Sequence, residues 1–188
     1  MATPRQLSEL LLTPEDAAAL DAPGRTDAAV LVPLYLDAGA LHAVFTKRRD
    51  DLRRHAGEIS FPGGRQDHPD EDLRETALRE AEEEIGLARA DVELVGALPP
   101  VGTFVTGYTV YPFVGVIRPG HAWKPQPTEV EEVLELSLPA LVDGYEHKRL
   151  TRRGVPFKTP TYTVEDTFVW GATARMVQSL LERLAPLL

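Results

Sequence analysis

Residues 71 to 87, EDLRETALREAEEEIGL, constrain this chain more than any other stretch. Placed at about 100° per residue from Leu73, the side chains of Leu73, Ala77, Leu78, Ala81 and Ile85 fall within an arc of roughly 140°. The spacing predicts a helix over 70–85 with that stripe buried. Gly86 stands where a C-terminal cap favours glycine. Glu80, Glu83 and Glu84 group in a neighbouring arc of roughly 100°, whereas Glu82 lies roughly 160° from Glu80, past the other edge of the stripe. The spacing therefore selects three carboxylates from a longer acidic run.

Such a grouping is unfavourable unless something compensates it. Like charges at i,i+3 and i,i+4 cost roughly 0.2–0.5 kcal/mol per pair. Carboxylates in the last turn also face the negative end of the helix dipole. A divalent cation would relieve both effects, and clustered oxygen donors favour Mg²⁺ or Mn²⁺ over zinc. The alternative is a solvated acidic face, because Arg79 stands at i,i+4 spacing between Glu75 and Glu83, as in a salt-bridge ladder.

A second concentration precedes the helix. Lys47, Arg48, Arg49, Arg53, Arg54 and His55 fall within nine positions of a chain whose formal net charge is -9. Guanidinium groups suit phosphate oxygens. The competing reading is a solvated basic loop paired to the acidic surface. The overall negative charge argues against a surface for long nucleic acid.

Two motifs carry a family resemblance. Arg79-Glu80-Ala81-Glu82-Glu83-Glu84-Ile85-Gly86-Leu87, with seven residues between Glu71 and Arg79, resembles the Nudix box, and eight of its nine specified positions match. Six residues separate Gly64 from Glu71 where the box has five. Thr46, Arg48, Arg53, Gly57 and Phe61-Pro62-Gly63-Gly64 are similar to the signature of the coenzyme A diphosphatase branch, with Arg49 in place of a small residue. Together the motifs span residues 44–87. The resemblance implies an α/β/α sandwich with a mixed β-sheet and a catalytic loop–helix–loop, in a single domain over 1–188. It implies Glu80, Glu83, Glu84 and the Gly64 carbonyl as ligands of Mg²⁺ or Mn²⁺, and Arg79 orienting the glutamates. Glu71 would steady the loop. It further implies cleavage of coenzyme A to adenosine 3′,5′-bisphosphate and 4′-phosphopantetheine. On that footing Glu83 is chosen as proton acceptor, and Glu129, Glu131 and Glu132 are candidates for an additional ligand or base, against the competing reading of a solvated strand approach. Arg48 and Arg53 are taken to contact phosphates, while Gly57, Gly63 and Gly64 allow close backbone approach. ADP-ribose, a nucleoside triphosphate, or a non-catalytic nucleotide sensor are the rival readings.

The remaining expectations come from local pattern. A helix is expected over 6–20, with Thr13-Pro14-Glu15-Asp16 starting a second turn. Strands are expected at 28–36, 41–46, 92–98, 109–117, 133–136 and 161–164, with a turn at 37–40. Residues 61–64 read as a breaker, 99–107 as a loop bordering the site, 138–142 as a short helix and 171–188 as an amphipathic helix. Phe104, Tyr108 and Trp123 could stack on a base, although packing roles compete. The five histidines lack zinc spacing, and the absence of cysteine excludes disulfides and thiolate chemistry. The longest apolar run, Ala28–Leu36, is far short of the roughly 20 residues that span a bilayer. Glu9, Glu15 and Asp16 interrupt the apolar N-terminus, so no secretory signal is read and a cytoplasmic protein is expected.

Overall fold

The computed structural model describes residues 3–51, 57–68, 72–103, 106–152 and 154–188. Its centre is a mixed sheet built on β1 (Thr26–Asp37), whose burial is continuous from Ala28 to Tyr35. Side-chain alternation divides that strand between two cores. Ala28, Val30, Val32 and Leu34 enter one core, and Ala29, Leu31 and Tyr35 the other. Both faces are therefore covered, which gives the expected layered α/β/α arrangement.

Ala38 and Gly39, both at positive φ, turn the chain from β1 into β2 (Ala40–Arg48). The two strands pair only from Leu34–Asp37 to Ala40–Ala43. Beyond that they part, and two short strands fill the split. β3 (Ile59–Ser60) pairs with β2 at Thr46 and Lys47, and β4 (Gly63–Arg65) pairs with β1 at Ala28–Val30. Thr46, 1% exposed, ties this corner with its hydroxyl, 3.2 Å from the Ser60 carbonyl. The segment read as a breaker thus contains strand residues, because the parted edge of β1 supplies partners that local sequence cannot reveal. On its other side β1 runs parallel to β7 (Tyr108–Val116), which also pairs with β5 (Glu93–Ala97) and β6 (Val101–Gly102). β8 (Val130–Ser137) pairs with β2.

Helix α3 (Leu73–Ile85) covers one face, with Ala77, Ala81 and Ile85 fully buried. Asp72 caps its start through the Arg74 N–H, and Gly86 ends it in the left-handed region at φ 71. The other face carries α1 (Pro4–Leu10), α4 (Leu138–Asp143) and α5 (Gly171–Leu184), which contribute Leu7, Leu138, Leu141, Val177 and Leu180. The N-terminal segment holds two helices rather than one. Extended residues break it before α2 (Pro14–Ala18), and Leu12 there forms a bridge to Ala97. A second antiparallel sheet, β9 (Tyr145–Arg152), β10 (Val155–Val164) and β11 (Thr167–Val169), exceeds the single strand expected at 161–164 and shares the α5-side core through Tyr162 and Val169. The C-terminal helix stops at Leu184, and a 3₁₀ turn covers Ala185–Leu187. Among the described residues, no helix is long and apolar enough to cross a membrane.

Candidate active site

The parting of β1 and β2 opens a cleft of about 1180 Å³ on the α5 side of the sheet. Ala28, Val30 and Val110 floor it. Helix α3 lies on the opposite face, yet Glu80 and Glu84 line the cleft. They do so because two glycines leave room at β4. A Cβ on Gly64 would lie 2.5 Å from the Glu80 carboxyl carbon, and one on Gly63 would strike the Ala29 carbonyl and the Val30 backbone.

Glu84 is 6% exposed, and its Oε2 accepts the Gly63 N–H at 3.0 Å. Burial pushes its pKa up to about 7, with Glu80 adding repulsion against the Gly63 N–H and the Arg48 charge. Glu80 is shifted up as well, again mainly by burial and against the pull of Arg79. Arg79 is the hub of this corner. Its Nη1 lies 2.8 Å from Glu80 Oε1 and 3.4 Å from Glu83 Oε2, and its Nη2 donates to the Arg65 carbonyl at 3.1 Å and faces Asp67 at 3.4 Å. The guanidinium fork thus ties α3 to β4.

Glu83 behaves differently from its two neighbours. Its side chain is 59% exposed, turns toward Arg79 and does not line the cleft. Among the described residues, no three His, Asp or Glu side chains converge as a closed metal-ligand set. Glu129 does line the cleft, with its carboxylate 3.9 Å from Arg48. Arg48 also lines it, and its Nε is buried without a hydrogen-bond partner. Lys47 and Arg49 pair outward with Glu131 and Asp51. Gly57 lies off the cleft at φ 68, where its N–H closes the loop onto the Arg48 carbonyl at 3.1 Å. Gly63 and Gly64 both line the cleft. Arg53, Arg54, His55, Glu71 and Phe104 fall outside the described residues.

The aromatic expectations divide. Tyr108 lines the cleft. Trp123 packs against the α3-side core, stacks on His121 and donates to Glu135 at 2.8 Å. Sequence reasoning missed Glu58 and Asp67 on the near wall, and Phe157, Lys158, Trp170 and Arg175 on the far one. No local spacing marks the far-wall residues, because a second sheet and the start of α5 bring them in.

A family model for the NUDIX domain matches residues 25–154. Proteins from Salmonella newport (strain SL254) and Salmonella enteritidis PT4 (strain P125109), each called "Uncharacterized Nudix hydrolase NudL", are 41% identical over 157 residues, covering 81% of this chain and 80% of theirs. The fold is similar to that of a C. elegans Ap4A hydrolase binary complex, with TM-score 0.57 and 16% identity over 86% of this chain and 96% of that one. It is also similar to the NUDIX domain of Shewanella oneidensis NrtR complexed with ADP ribose, with TM-score 0.52 and 20% identity over 69% of this chain and 85% of that one.

Proposed function

The chain belongs to the Nudix family, and from that premise we propose that it hydrolyses the diphosphate of coenzyme A or its derivatives, releasing adenosine 3′,5′-bisphosphate and 4′-phosphopantetheine. At the coarser level it is a Nudix-box hydrolase acting on a phosphoanhydride bond of a nucleoside-diphosphate-linked small molecule. The observation that carries the finer reading is the meeting, in one cleft, of Glu80 and Glu84 from the box with Arg48 from the upstream signature.

The donor chemistry fits Mg²⁺ or Mn²⁺. The candidate ligands Glu80, Glu83, Glu84 and the Gly64 carbonyl are all oxygen donors. The two cleft carboxylates are held close together against a burial penalty that a cation would offset. Bound there, such a cation supplies charge neutralisation on the diphosphate and makes water easier to deprotonate near neutral pH. The chain's own groups do the positioning. Arg79 fixes Glu80, and the Gly63 N–H fixes Glu84. Arg48 lines the cleft, and in this reading it and Arg53 contact phosphate oxygens. Water adds to phosphorus, a carboxylate takes its proton, and the P–O bond breaks with the electron pair leaving on the departing phosphate. Glu83 is our choice of acceptor within the box. Glu129 competes with it, because it lines the cleft and Glu83 does not.

ADP-ribose is the second reading. It presents the same adenosine diphosphate, and the fold resembles a NUDIX domain solved with that ligand. The test is incubation with Mg²⁺ and either substrate, with products separated by ion-pair chromatography, alongside Glu83→Gln, Glu129→Gln and a chelated sample. Adenosine 3′,5′-bisphosphate and phosphopantetheine from coenzyme A, lost on chelation, support the proposal. Cleavage of ADP-ribose alone rejects the coenzyme A assignment and keeps the hydrolase.

A further inference from the structure

The far wall of the cleft comes from residues beyond 154, where the NUDIX match ends. β10 contributes Phe157 and Lys158, and the start of α5 contributes Trp170 and Arg175. Arg175 is partly buried, and its Nη2 donates to the Gly102 carbonyl at 2.5 Å, which fixes the guanidinium beside β6. Burial pulls its pKa below arginine's ordinary value, although an arginine remains charged. A fixed cation in a half-enclosed cleft favours an anionic guest.

The sheet register gives the span. Val101, Val110, Ala28 and Arg65 form one rung across β6, β7, β1 and β4. Three strand spacings of about 4.8 Å separate the β6 backbone from that of β4, or roughly 14 Å. The carboxylates stand at the β4 end, because a Cβ on Gly64 would touch that of Glu80. Arg48 belongs to that end too, since its charge acts on Glu84 and its guanidinium faces Glu129. Among the described residues, Arg175 is a cation fixed across the floor from that end, within reach of a phosphate remote from the scissile bond.

We propose that Arg175, assisted by Lys158, binds a phosphomonoester carried on the ribose of the substrate, with Phe157 and Trp170 lining the wall beside it for the nucleobase. The subsite rests on the coenzyme A reading, because coenzyme A carries a 3′-phosphate that ADP-ribose lacks. Arg175 is a selectivity residue here. It binds a group that takes no part in bond breaking.

The experiment compares coenzyme A with dephospho-coenzyme A, which lacks the 3′-phosphate, on wild type, Arg175→Ala, Arg175→Lys and Lys158→Ala. Adenosine 3′,5′-bisphosphate and AMP are titrated calorimetrically into each metal-free protein. Loss of a charged hydrogen bond is worth roughly 10- to 100-fold. Arg175→Ala should therefore lower kcat/KM for coenzyme A by about that factor, through KM, and change dephospho-coenzyme A by less than about 3-fold. Arg175→Lys should fall between, and Lys158→Ala should give a smaller loss confined to coenzyme A. If Arg175→Ala does not fold, the other two variants carry the comparison. Equal losses on both substrates, or a wild type indifferent to the 3′-phosphate, would overturn the subsite and leave the coenzyme A reading standing. A wild type that cleaves ADP-ribose and neither form of coenzyme A overturns that reading, and the titration then decides the subsite. A bisphosphate preference abolished by Arg175→Ala supports it, and equal affinity for bisphosphate and AMP rejects it.

Discussion

Glu84→Gln should stabilise the metal-free protein above neutral pH, although it removes a proposed ligand. Glu84 is 6% exposed, and burial pushes its pKa up to about 7 against 4.5 for an unburied glutamate. That displacement corresponds to about 3 kcal/mol. Between the two values the folded chain holds a proton that the unfolded chain has released, so stability falls as pH rises. The contribution is complete below about pH 4.5 and lost once pH passes about 7. Glu80 shifts in the same direction and adds to the trend. Asp72, held below its ordinary value by Arg74, loses its contribution only at lower pH, outside this window. For a chain of this size about 3 kcal/mol is roughly 6–12 °C in Tm. Thermal unfolding followed by circular dichroism in a chelator, at pH 5 to 8, measures it. The wild type should lose stability across the range, and Glu84→Gln should flatten the curve while still accepting the Gly63 N–H. Adding Mn²⁺ at pH 8 should then restore the wild type by about 2.7 kcal/mol at a hundredfold excess over Kd, and the variant by less. A flat wild-type curve, or a variant curve parallel to it, would refute the argument that Glu84 is buried at an electrostatic cost.

Other outcomes follow from the same corner. Gly64→Ala should fold normally, because the atoms nearest its new methyl belong to the flexible end of Glu80, yet activity should drop by about 100-fold as that carboxylate is displaced; unchanged kcat/KM would contradict this. Gly63→Ala meets backbone instead and should lose roughly 1–3 kcal/mol in urea unfolding. Arg79→Ala should cost about 10- to 100-fold in activity and raise the metal concentration needed for half-maximal rate, since it frees Glu80 and detaches α3 from the Arg65 carbonyl. Comparing Glu83→Gln with Glu129→Gln in pH–rate profiles identifies the proton acceptor, whose removal should abolish the acidic limb.

The parts legible in the sequence are those governed by periodicity. The 3.6-residue stripe of α3 and its glycine stop are found nearly where expected, from Leu73 to Gly86, because the buried stripe and the cap are local requirements. The apolar runs of β1, β2 and β7 are legible for the same reason. β9 is not, since YEHKRLTR has no continuous apolar run and gains its strand form from pairing with β10. Helical spacing grouped Glu83 with Glu80 and Glu84, but azimuth does not fix where a long side chain ends. Arg79, one turn back, draws Glu83 out of the cleft. The far wall escaped because its members are neighbours only after the second sheet and α5 have packed on the main sheet.

The floor of the cleft is shared, but its two walls have different origins in the chain. The wall with Glu80, Glu84 and Arg48 comes from the signature segment, and the wall with Phe157, Lys158 and Arg175 from the final third. Drift in the second can change which molecule is accepted without disturbing how its bond is broken. A lineage built on this scaffold can therefore exchange its diet while keeping its teeth.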